Sequence, residues 1–97
     1  MLSRQIVIQT LVNHQEQLKR FAVRTLLLFG SVARDEAHAE SDVDLLVEFE
    51  KPVGLFTFIE LKEYLEEILN CPVDLGTPQS LRPHLREVVL KEAVRAF

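Results

Sequence analysis

Apolar residues along this chain recur with two different periods, and the switches between them outline its elements. Ile8, Leu11, Leu18 and Phe21 follow a helical stripe. They predict a first helix from Ser3 to about Arg20, with Ser3 placed to cap its start. The β-branched run Ile6-Val7-Ile8 works slightly against that helix. Thr25 to Phe29 is a continuous, mainly apolar run stopped by Gly30. Its length and abrupt end predict a buried strand. Ser31 to about Ala37 reads as a short helical turn, and Ala39 to Ser41 as a loop.

Asp42 to Glu50 predicts a second strand, alternating as Asp-Val-Asp before turning apolar at Leu45-Leu46-Val47. Lys51-Pro52-Val53-Gly54 ends it. Leu55 to Asn70 is the clearest helix. Leu55, Phe58, Ile59, Leu65, Ile68 and Leu69 repeat at three and four, Leu61 and Tyr64 widen the stripe, and Asn70 is the stop. Pro72 to Leu75 predicts a short third strand, closed by Gly76. A last helix opens at Leu81-Arg82-Pro83, with proline suited to its first turn. Leu85, Val88 and Val89 are expected on its inner face.

The order helix, strand, turn, strand, helix, strand, helix predicts an α/β (α+β) fold, a small sheet of three or four strands with flanking helices. Strand order does not follow from the pattern. Residues 1–97 are expected to form a single domain. Hydrophobic residues make up 47% and charged residues 27%, ordinary for a globular protein. There is no apolar run of about 18 residues, so no membrane-spanning helix is expected. Ile6-Val7-Ile8 is too short for a signal-peptide core, and a cytoplasmic location is expected.

Charge and cysteine content remove further classes. The net charge is −4, with no Lys/Arg cluster, which argues against long nucleic acid as a partner. The single cysteine, Cys71, has no partner for a disulfide or a zinc pair and is expected to be a small buried apolar residue. His14, His38 and His84 are dispersed, and none has another at metal-ligand spacing.

The candidate chemistry lies at strand ends. Strand side chains alternate, so Asp42 and Asp44 project to one face and Val43 to the other. Two carboxylates on one face repel, and a divalent cation removes the conflict. Mg²⁺ suits such hard oxygen donors and completes its shell with water and substrate phosphates. Asp74, in Val73-Asp74-Leu75, joins them if its strand pairs beside the second. The pair alone also suits a solvated loop, and Asp74 alone an ordinary strand-end carboxylate. Gly30-Ser31 stands where a strand gives way to a helical turn, where free backbone N–H groups make an anion site. Glycine allows close approach to a phosphate. Arg34 is within reach of the same anion. Ser31 could instead be a plain N-cap.

Taken together, Gly30-Ser31, ten residues, then Asp42-Val43-Asp44 resembles the G-S-x(10)-D-x-D signature of the polymerase-beta-like nucleotidyltransferases. The string from Gly30 to Phe49 closely resembles the minimal nucleotidyltransferases. Val73-Asp74-Leu75 followed by Leu81-Arg82-Pro83 resembles that subfamily's third-carboxylate strand and C-terminal segment. Asp35 departs from the pattern, since members often have glycine there.

The resemblance implies a mixed sheet with flanking helices and nucleotidyl transfer, usually from ATP. It implies that Gly30 and Ser31 hold the triphosphate and that Asp42 and Asp44 bind Mg²⁺. It further implies that Asp74 binds a second metal and helps activate the acceptor hydroxyl. Minimal members are often antitoxins of HEPN-domain ribonuclease toxins, and some transfer AMP to a toxin tyrosine. The leading expectation is therefore an AMP-transferring antitoxin acting in a hetero-complex. An alternative is an idle enzyme that neutralises its toxin by binding, through the face at Leu61, Tyr64, Leu65 and Ile68. That face is more simply explained as core. A small-molecule (antibiotic) nucleotidyltransferase is the third reading. It would need a homo-oligomer to build an acceptor pocket.

Overall fold

The computed structural model describes residues 3–34, 36 and 42–97. Its elements run α1 (Arg4–Asn13), α2 (Gln15–Arg20), β1 (Val23–Phe29), α3 (Gly30–Ala33), β2 (Val43–Phe49), α4 (Leu55–Leu69), β3 (Val73–Gly76), a 3₁₀ turn (Pro78–Ser80), α5 (Pro83–Glu92) and β4 (Val94–Arg95). The predicted loop Ala39–Ser41, together with His38 and Asp35, lies outside the described residues.

Local chemistry explains the boundaries. The Ser3 side chain accepts the Ile6 N–H, as its capping position predicts. The single first helix expected to Arg20 is two helices, broken at His14. The His14 backbone N–H turns back onto Thr10 and Leu11 carbonyls, and its ring Nδ1 lies 2.8 Å from the Thr10 carbonyl oxygen. The hydrophobic stripe continues across the break because both segments face the same core. Asn70 ends α4 in the left-handed region at φ 55°, a conformation asparagine tolerates.

Among the described residues the sheet has four strands in the order β3-β2-β1-β4. β1 runs antiparallel to both β2 and β4, and β3 runs parallel to β2. The sheet is therefore mixed. The expected third strand is present at its edge, and β4 adds a fourth that two residues could not announce.

One face of the sheet carries the core. Leu26 and Leu28 of β1, Val43, Leu45 and Val47 of β2, and Val73 and Leu75 of β3 pack against Val7 and Leu11 of α1, Leu18 of α2, and Leu61, Leu65 and Leu69 of α4. Leu61 and Leu65 are fully buried and Tyr64 and Ile68 pack against the core, so that face is core rather than a docking face, while Leu55 and Ile59 at the start of the stripe stay exposed. The last helix differs from expectation. Leu85 is 46% exposed and Val88 55% exposed, and α5 buries none of its residues. Its apolar stripe contributes nothing to the core that α1, α2 and α4 build on the sheet. Cys71 is half-buried and packs against the edge of that core. No helix among the described residues is long and apolar enough to cross a membrane.

Candidate active site

The opposite face of the sheet gathers the carboxylates at one end. Asp44 of β2 is the register partner of Asp74 on β3 and of Phe29, the last residue of β1. Neighbouring strands lie about 4.8 Å apart, so the Asp44 and Asp74 side chains stand side by side. The conditional step in placing Asp74, pairing of its strand beside β2, is thus present. Asp42 lies exposed just before β2. Burial raises the Asp44 pKa above its ordinary value, the charges of Asp74 and then Asp42 raise it further, and Arg34 opposes them. All three carboxylates and Arg34 therefore act on one locus. Burial likewise pushes the Cys71 thiol up, aided by Asp42 and Glu66.

Gly30 closes this locus from the β1 side. Its φ is +75°, a conformation that side-chain-bearing residues avoid. A Cβ there would also collide with Oδ2 of Asp44. Two independent constraints thus require glycine: the turn from β1 into α3 and the close seat of the Asp44 carboxylate. Ser31 lies inside α3, whose N-cap is Phe29, so Ser31 is not the N-cap. The first N–H groups of a helix have no intrahelical acceptors. Ser31 is half-buried and directly follows the glycine that meets Asp44.

Arg34 caps the other end of α3, its N–H donating to the Gly30 carbonyl at 3.2 Å. Its guanidinium is paired with Glu36 at 3.1 Å and with Glu92 of α5 at 3.9 Å. Both pairs are well exposed, so an anion can compete for the guanidinium at low cost. Two contributors escape a reading of the sequence. Arg4 donates from Nη1 to the Ala33 carbonyl at 3.3 Å, anchoring α3 from 29 residues away. Glu92 arrives from the end of α5. Neither stands near a motif, and only chain folding brings them here.

Among the described residues no three carboxylate, histidine or cysteine side chains make a ready-made metal cage. The arrangement offers instead a small set of hard oxygen donors in mutual repulsion, with an anion-binding turn beside them. Such a set suits a cation that brings ligands of its own.

Comparison with known proteins agrees with this geometry. Residues 11–96 match the nucleotidyltransferase domain family. The chain is 44% identical over 95 residues to the protein adenylyltransferase MntA of Thermococcus cleftensis, covering 97% of this chain and 96% of that one. It superposes on a candidate minimal nucleotidyltransferase of known structure with a TM-score of 0.83 at 36% identity, covering 97% and 96% of the two chains. A toxin–antitoxin complex crystallised with AMP-PNP contains a chain similar to it at a TM-score of 0.70 and 25% identity, covering 88% of this chain and 71% of that one.

Proposed function

The chain belongs to the nucleotidyltransferase domain family, and from that premise we propose that it transfers AMP from ATP to a tyrosine hydroxyl of a HEPN toxin, acting with Mg²⁺ as the toxin's antitoxin. The observation that carries this reading is the register pairing of Asp44 with Asp74 beside Gly30. The similarity to a protein adenylyltransferase supports AMP as the transferred group. The AMP-PNP-bound toxin–antitoxin complex supports ATP and a toxin partner.

Gly30 and Ser31 bind the triphosphate through backbone N–H groups and the serine hydroxyl, with Arg34 released from Glu36 and Glu92 to join them. Asp42, Asp44 and Asp74 hold the metal. Bound Mg²⁺ would neutralise charge on the phosphates and orient the α-phosphate. The acceptor oxygen bonds to the α-phosphorus, the bond to the bridging oxygen breaks, and pyrophosphate leaves. Asp74, on the edge strand and exposed, takes the acceptor proton. Catalysis is chiefly positioning and charge neutralisation.

The test is incubation with ATP labelled at the α-phosphate, Mg²⁺ and the product of the adjacent reading frame, tested as the HEPN partner. The expected result is label on a tyrosine of the HEPN protein, lost with Asp42→Asn. Absence of label, with both proteins folded, overturns the proposal.

A further inference from the structure

We infer that Glu66 is a positioning residue for nucleotidyl transfer: by accepting the Val73 N–H it fixes the register of the edge strand and holds Asp74 opposite Asp44. The inference rests on the reading that Asp74 belongs to the metal and acceptor site.

β3 has four residues and lies at the edge of the sheet, with β2 on one side only. On that side the Val43 N–H donates to the Pro72 carbonyl at 3.1 Å. The Val73 N–H goes instead to Oε2 of Glu66 at 3.0 Å. Glu66 is half-buried in the last full turn of α4, and the chain needs only Asn70, Cys71 and Pro72 to pass from that helix into the strand. The carboxylate thus ties the start of β3 back to its own preceding helix.

A hydrogen bond to an ionised acceptor is stronger than a neutral one, so it weighs heavily in a strand with so few bonds. A slip of one residue would turn Asp74 to the opposite face, because strand side chains alternate. The Glu66 contact lies one residue from Asp74 and fixes the start of β3 relative to α4. It also occupies an edge N–H that would otherwise be open to pairing with another chain.

The experiment compares Glu66→Leu, Glu66→Gln and Asp74→Asn in the full chain. It measures AMP transfer, Mn²⁺ affinity by electron paramagnetic resonance, and amide exchange at Val73 to Leu75. Glu66→Leu is expected to lower kcat and weaken Mn²⁺ binding by about ten-fold each, as loss of an outer support of a metal ligand does. Its KM for ATP stays unchanged, because Gly30 and Ser31 are untouched, and exchange at residues 73–75 quickens. Glu66→Gln keeps an acceptor oxygen for the Val73 N–H and restores transfer to within about two-fold. Wild-type transfer and Mn²⁺ affinity in folded Glu66→Leu overturn the inference, as does a Gln variant no better than Leu. If Glu66→Leu does not fold, Glu66→Asp, whose shorter side chain cannot reach Val73, replaces it with the same expectations. Asp74→Asn separates the two levels. Wild-type transfer in that variant removes the reading of Asp74 itself, whereas an inactive Asn variant beside an unaffected Leu variant removes only the role of Glu66.

Discussion

Alternate residues of β2 do opposite work. Val43, Leu45 and Val47 are fully buried against the helices, while Asp44 and Glu48 face the other way and stay partly open to solvent, with Leu46 buried between them. Seven residues of one strand thus supply both the centre of the core and the centre of the candidate site. The difference teaches that stability and chemistry are separated here by side-chain direction and not by distance. A change at one position should damage the fold, and a change at its neighbour should damage transfer while leaving the fold intact or firmer.

The sharpest break of that comparison is Leu45→Ala. It removes a fully buried side chain from the core, and is expected to cost about 2–5 kcal/mol of stability, measurable by urea unfolding. In a domain this small, that is a large part of the total.

Next comes Asp44→Asn. It is expected to reduce AMP transfer by at least about a hundred-fold, since it alters a proposed metal ligand and not merely its support. In metal-free protein the same substitution should raise Tm. Burial and the like charges of Asp74 and Asp42 hold the Asp44 pKa above its ordinary value of 3.8. The folded chain therefore keeps this proton at pH values where the unfolded chain has released it. Stability from this group falls as pH rises through that window, and the penalty persists at neutral pH. The Tm advantage of Asp44→Asn in EDTA should accordingly be larger at pH 7 than near pH 4. No advantage at either pH contradicts the mutual repulsion inferred for the carboxylates.

The smallest effect tests the rim. Glu92→Gln frees Arg34 from one exposed partner and is expected to tighten ATP binding by about two- to five-fold, in keeping with the worth of a surface ion pair. The gain should disappear in an Arg34→Ala background when read by calorimetry. A gain that survives there would reflect general charge and not competition for Arg34.

The two long apolar stripes make the limits of a sequence reading plain. Those of α4 and α5 look alike by periodicity, yet α4 buries Leu61, Leu65 and Leu69 and α5 buries nothing. Periodicity reports that a helix has an apolar side. It does not report whether a surface remains for that side to cover. The break at His14 was hidden for the same reason, since two short helices facing one core share one stripe.

The sequence by itself determined the main strands and α4, through runs and periods that only those backbones satisfy, and it determined membership of the family, through Gly30-Ser31 and Asp42-x-Asp44 at fixed spacing. Local rules suffice there, because capping, alternation and tight turns involve residues near one another in the chain. Tertiary structure alone decided that β3 lies parallel to β2, bringing Asp74 beside Asp44, and that Gly30 must lack a Cβ because Asp44 occupies its space. It also decided that Arg4, Glu66 and Glu92 converge on the same end of the sheet. Most of those relations join residues well separated in the chain, and only the packing of helices on one face of the sheet determines where the distant segments land.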